Sequence, residues 1–298
     1  MSNLLRQKTT RRALTLLLSP LAAVLLVVKL GDLARFSWTL KCNNIDGIIR
    51  ARLQYRSKRI KEACEIYGFK PEGYKWMGDV HVDDIVWTRL PKVATTFMTT
   101  IILRRILKNA TLECSSSCHA RLEATTSSDS RIHDELIGIR PDGPGGSLLI
   151  VRRPYDRLVS AFLDKIAGDD PMQLWDKIKR ISGRANSTGP PTFAEFVNFV
   201  IWQDDTDDLM DGHWDTQERL SRVCERDYQY IVQLETLEEE LPYVLRRLGL
   251  ETEARHPVTS RNASPRRYDT GHYLDQLTEA QLARLDTVYR MDIILFNG

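Results

Sequence analysis

Apolar positions along the chain fall into two kinds of run. Ile85 to Leu90, Leu148 to Val151 and Tyr230 to Leu234 are short, continuous and partly β-branched, which predicts strands buried on both faces. Other apolar positions recur every three or four residues and predict helices. Pro154 suits a first helical position, and Tyr155, Leu158, Val159, Phe162 and Ile166 behind it line one face. Thr95 or Thr96 can cap a helix through Ile101, Ile102, Ile106 and Leu107, with Arg104, Arg105 and Lys108 at the end where the dipole favours cations. Ile60, Cys64 and Tyr67 keep helical spacing, as does Phe193 to Trp202. Leu237 to Leu248 reads as a helix stopped by Gly249, and Leu277 to Phe296 as a final amphipathic helix. Ser115 to Ser130, Pro141 to Gly146 and Gly168 to Pro191 read as loops or surface excursions.

The N-terminus differs from the rest. Met1 to Arg12 carries four basic and no acidic side chains, and Ala13 to Val28 is free of charge. That run spans about 24 Å as a helix, extended by Leu30 with Lys29 snorkelling, against roughly 27 Å for a thin membrane. It predicts a cytoplasmic tail over 1–12 and an uncleaved transmembrane signal anchor over 13–30. A cleaved signal peptide is the alternative, but no convincing small-x-small site follows. Residues 31–75 read as a stem passing into a first helix, and 76–298 as the lumenal domain. Glycosylation sequons at Asn109, Asn186 and Asn262 all lie beyond the anchor and agree with that topology.

With 298 residues, 42% of them hydrophobic, the chain can bury one large α/β core. A formal charge of +2 offers no basic excess for nucleic acid, so positive charge must act locally. The five cysteines are too few for a disulfide scaffold and odd in number, and their pairing is not readable. Cys114, Cys118 and His119 lack a second ligand pair at zinc spacing, so no metal is expected.

Candidate chemistry sits where strand turns into helix. Pro91 and Lys92 follow one predicted strand, and Arg152, Arg153 and Pro154 follow another. Both units put unpaired N–H groups and cationic side chains at the carboxyl end of a strand, an arrangement suited to a polyanion. Arg157 and Ser160, three apart on one helix face, add to the second turn. GxxxxGK[ST] is absent, so neither turn is a Walker loop.

The segment IVRRPYDRLVSAFLDK resembles the 3′-phosphate-binding block of the Golgi carbohydrate sulfotransferases, in the branch of the HNK-1, chondroitin 4-O- and dermatan 4-O-sulfotransferases. Pro91, Lys92, Val93, Ala94 and Thr96 resemble that family's 5′-phosphosulfate loop, with Thr95 in place of a common cysteine and Phe97 in place of Asn. A third block matches without a gap: His213, Trp214, Cys224, Tyr228, Ile231 and Glu235 to Glu238, with Ser221 where the family has another cysteine. Either a disulfide at that position is lost or Cys224 has another mate.

The resemblance implies a three-layer, P-loop-like α/β fold around a mainly parallel sheet. It implies a single-pass type II Golgi membrane protein that moves a sulfuryl group from 3′-phosphoadenosine 5′-phosphosulfate (PAPS) to a glycan hydroxyl, without a metal. Lys92 would stabilise the bridging oxygen, Pro91 to Phe97 would hold the 5′-phosphosulfate, and Arg152, Arg157 and Ser160 the 3′-phosphate. His213 is the leading candidate for the base, with His119 and His133 as rivals. A non-catalytic glycan-binding relative and a nucleotide-dependent phosphotransferase are the competing readings.

Overall fold

The computed structural model describes residues 20–67, 78–114, 118–126, 146–255 and 268–297, with backbone alone for 20–43 and 123–126. The chain divides into two units, Met1–Ile48 and Ile49–Gly298. In the first, the described residues form the leading part of helix α1 (Pro20–Tyr67). The whole of the expected tail, 1–12, and residues 13–19 of the expected anchor lie outside the described residues. Among those described, no helix is long and apolar enough to cross a membrane.

The second unit is built on a four-stranded sheet in the order β1 (Asp79–Val82), β2 (Ile85–Thr88), β3 (Gly146–Val151), β4 (Tyr230–Gln233). β2, β3 and β4 run parallel, pairing Thr88 with Leu149 and Val151 with Gln233. All three are buried along their whole length, which is why each reads as an unbroken apolar run. β1 was not anticipated. It pairs antiparallel with β2 through a tight turn at Asp83, which has φ 51°, and its side chains alternate in burial.

Each parallel strand hands over to helices. After β2 come α2 (Thr95–Ile106) and α3 (Cys118–Thr126), the latter inside a stretch expected to be loop. After β3 come α4 (Pro154–Lys165), α5 (Trp175–Ile181), α6 (Phe193–Asp205) and α7 (Gln217–Ser221). β4 leads through a short 3-10 turn to α8 (Leu237–Arg247), which Gly249 terminates at φ 68°, and then α9 (Glu251–Ala254). α10 (Thr270–Leu274) follows, and the final helix predicted over Leu277 to Phe296 is broken into α11 (Glu279–Val288) and α12 (Arg290–Phe296), with Tyr289 between them. Tyr289 is buried and donates its hydroxyl to the Trp214 carbonyl, a tertiary bond that outweighs helical continuity.

Ile49, Leu53 and Ile60 carry the C-terminal part of α1 into the core of the second unit. Arg56 is buried with them, bidentate to Glu240 of α8 at 2.8 Å and bonded to the Ile231 carbonyl of β4 at 2.7 Å. Arg56 is thus a buried cation that fixes the C-terminal part of α1 to the sheet edge. Cys64 pairs with Cys224, 160 positions away, which settles the alternative posed by Ser221: Cys224 has another mate. Cys114 pairs with Cys118, so neither thiolate is a metal ligand.

Closing so long a loop restricts the unfolded chain more than the folded one. Cys64→Ala is expected to lower the free energy of unfolding by about 2–4 kcal/mol in urea titrations, and reductant should lower wild type by at least as much.

Candidate active site

The turn after β2 is shaped by its backbone. Lys92 (φ 69°) and Ala94 (φ 62°) both adopt left-handed conformations that non-glycine residues rarely take, and Ala94 is the N-cap of α2. Alternation of this kind curls successive N–H groups into an anion-binding concavity. The first amides of α2 have no side-chain cap. Val93 is buried beneath the turn, and Phe97 packs against the sheet-side core. The Thr95 hydroxyl donates to the Leu90 carbonyl, so it closes the turn on itself.

Lys92 is only 17% exposed, and its ammonium meets Asp164 of α4 at 3.0 Å. Burial pulls its pKa below the ordinary lysine value against the opposing pull of Asp164, while Lys165 and Arg152 push it further down. Burial tends to raise Asp164, but Lys92 and Lys165 outweigh it and hold that carboxyl below the usual range.

The second turn lies directly beside the first. Arg152 donates from Nη1 to the Lys92 carbonyl at 3.2 Å and from Nη2 to the Tyr268 hydroxyl, with the guanidinium 5.6 Å from the tyrosine ring centroid. The Tyr268 hydroxyl in turn donates to the Asp156 carbonyl at 2.9 Å and interacts with Ser160. Burial raises its pKa, and Arg152 opposes that. Lys92, Arg152 and Ser160, which are separated in the chain, are thus brought together.

Arg157 does something other than expected. It is 1% exposed, and its guanidinium donates to the carbonyls of Pro91 (3.0 Å), Asp215 (2.6 Å) and Gly212 (2.5 Å). Those bonds make it the tie between the Pro91 turn and the turn carrying His213. His213 is partly exposed, with Nδ1 2.5 Å from Asp211, whose carboxylate also accepts the His213 amide at 2.9 Å. His119 lies against the start of α2 instead, with its two ring nitrogens 3.4 Å from the Thr96 and Thr99 hydroxyls. His133 and Asn262 lie outside the described residues, and Asn109 and Asn186 are exposed.

The profile of the sulfotransferase family matches residues 79–297, from β1 to the residue after α12. The chain belongs to the sulfotransferase family. It is 32% identical over 166 residues to carbohydrate sulfotransferase 10 of Xenopus laevis, covering 50% of this chain and 46% of that protein. Identity is 31% over 171 residues to carbohydrate sulfotransferase 8 of Mus musculus, covering 50% and 39%. It is 30% over 162 residues to carbohydrate sulfotransferase 10 of Homo sapiens, covering 50% and 45%. The chain thus matches less than half the length of these relatives. No solved structure matches it significantly. The mixed α/β architecture with a mostly parallel sheet fits a sulfotransferase fold.

Within this member of the family, several site residues carried no local signal. Gln217 and Tyr268 reach Arg152 from distant segments, and Asp292 caps the start of α7 through the Gln217 and Glu218 amides, both at 2.8 Å. Asp211 was detectable, because an Asp two positions before a histidine is the spacing of an Asx turn. Beneath the site two acids are raised. Burial, with Asp292 adding to it, pushes Glu218 up to about 8, and burial pushes Asp292 up to about 6 against the amides it accepts.

Removing Arg157 leaves three carbonyls without their donor. Arg157→Met is expected to destabilise the protein by at least about 3 kcal/mol in denaturant titrations. Glu218 makes a second prediction. Its folded value lies above the ordinary 4.5, so the native protein holds a proton that the unfolded chain has released, and stability is lost as pH rises from about 4.5 to about 8. Thermal melts should show the midpoint falling across that window, with Glu218→Gln melting higher than wild type at pH 8 and showing a flatter profile.

Proposed function

We propose that this protein is a PAPS-dependent carbohydrate O-sulfotransferase. The observation that carries the reading is the bond from the Arg152 guanidinium to the Lys92 carbonyl, which unites two cationic strand-end turns into one site for a two-ended anion. A nucleotide with phosphate at 3′ and phosphosulfate at 5′ has that shape and charge. The relatives named above are carbohydrate sulfotransferases, which favours a glycan hydroxyl as acceptor.

In this reading the concavity from Pro91 to Thr96 cradles the 5′ end, with Lys92 leaving Asp164 for the oxygen that bridges phosphorus and sulfur. Arg152 and Ser160 take the 3′-phosphate. The acceptor oxygen attacks sulfur in line, the bond from sulfur to the bridging oxygen breaks, and adenosine 3′,5′-bisphosphate leaves with the electron pair. Lys92 offsets the charge that gathers on that oxygen. The acceptor proton goes to His213, whose Nδ1–H points to Asp211 and leaves Nε2 as the basic atom, the tautomer that an orienting carboxylate enforces. His119, with both ring nitrogens directed at threonine hydroxyls, suits a supporting role at the start of α2.

The same reading includes a Golgi location with the domain lumenal, held by a membrane helix over 13–30. The uncharged run, the basic tail before it and the sequons beyond it support this.

Transfer of radiolabelled sulfate from PAPS to a panel of desulfated glycans tests the proposal. Lys92→Ala is expected to lower kcat by about 10²–10³ and His213→Ala by about 10²–10⁴, while Arg152→Ala raises KM for PAPS and His119→Ala keeps most activity. Activity that survives both Lys92→Ala and Arg152→Ala, or that uses ATP in place of PAPS, overturns it. Deleting residues 1–30 should release the protein from the membrane pellet.

A further inference from the structure

Strand β3 ends at Val151, and the next peptide has left the sheet ladder. Its polar groups are nevertheless satisfied. Gln217 accepts the Arg152 N–H at Oε1 (2.8 Å) and donates from Nε2 to the Arg152 carbonyl (2.7 Å), so one side-chain amide pairs with both ends of the residue as a neighbouring strand would. Gln217 is fully buried. Its own amide donates to Asp292, a fully buried carboxylate that also accepts the Glu218 amide.

We propose that Gln217, seated on Asp292, is a positioning residue that sets the Arg152 guanidinium for the 3′-phosphate of the donor. The assignment rests on the PAPS reading above. Three features distinguish it from ordinary packing. Both hydrogen bonds go to the residue that bears the anion-binding cation. The amide is planar and uses donor and acceptor at once, so it fixes both peptide planes that flank the Arg152 Cα. The Arg152 side chain then leaves a fixed Cα toward Lys92 and Tyr268. A side chain that merely filled space beneath the turn would serve the two ends of the nucleotide equally. Among the described residues Gln217 makes no hydrogen bond to the Pro91 turn or to Lys92 and reaches that turn only through Arg152, so its effect should fall chiefly on the 3′ end.

The test is calorimetric binding of two ligands to the full chain: adenosine 3′,5′-bisphosphate, and adenosine 5′-monophosphate, which lacks the 3′ group. Wild type is expected to prefer the bisphosphate by at least about 10-fold, from the charge-assisted bonds it adds. Gln217→Ala should lose about 10-fold in bisphosphate affinity while monophosphate affinity changes less than about twofold. Gln217→Met keeps about the same size but offers Arg152 neither donor nor acceptor, and should show the same selective loss. It also replaces Gln217→Ala should that variant not fold. Equal loss for both ligands, an unchanged preference in the variants, or failure of both variants to fold would overturn the assignment and leave Gln217 a structural residue. A wild type with no preference for the bisphosphate would instead sink the PAPS reading itself.

Discussion

A single buried guanidinium holds this site in register. Arg157 sits in the first turn of α4 and gives its hydrogen bonds to three backbone carbonyls from two other segments, Pro91 on one side and Gly212 and Asp215 on the other. Burying a cation is costly, by several kcal/mol even after relaxation. The cost is offset here by aligned carbonyl dipoles and by the nearby Asp292 and Asp215 charges. What results is a fixed distance between the loop that carries Lys92 and the turn that carries His213. Chemistry that depends on holding an attacking oxygen, a leaving group and a base in line gains from walls that need no rearrangement during the reaction.

The cationic end of the site is arranged against its own preference. Arg152 lies close enough to disfavour the charge on Lys92, and the turn between β2 and α2 holds two residues in left-handed conformations. The arrangement suits a polyanion, which would relieve the repulsion and meet the backbone N–H groups that the left-handed conformations turn to one side. Asp164 supplies a local counter-charge for Lys92. Below the site, Glu218 and Asp292 are buried carboxyl groups with raised pKa values, and one Glu218 oxygen has no hydrogen-bond partner among the described residues. Stability is surrendered at these positions, close to the residues that orient the cations.

Much of the scaffold was legible because its signals are local. β2, β3 and β4 announce themselves as apolar runs since both faces are covered, and α4 begins where Pro154 permits a helix and an apolar stripe follows. β1 was missed because it is only four residues long and alternates Asp79 and His81 with Val80 and Val82, too short a pattern to stand out. α3 was missed because its neighbourhood is rich in Ser and Thr, which favour loops until tertiary contact bends the balance, here with Cys118 and Leu122 entering the core. The closing helix was read as continuous because its period is unbroken across Tyr289, and nothing local reveals that this hydroxyl is required by Trp214.

The chemistry divides along the same line. The linear order of residues determined the two basic turns, the class of ligand they suit and the family to which the chain belongs, because a strand end, a cation and a helix start are encoded within a few neighbouring positions. Only tertiary structure decided that Arg157 ties segments together, that Arg152 lies against the Lys92 turn, that Cys64 is the mate of Cys224, and that Gln217 and Tyr268 flank Arg152. Those partners come from positions far apart in the chain. A hydrogen bond is satisfied or left open only once the topology has chosen which distant atoms meet, and no local pattern records that choice.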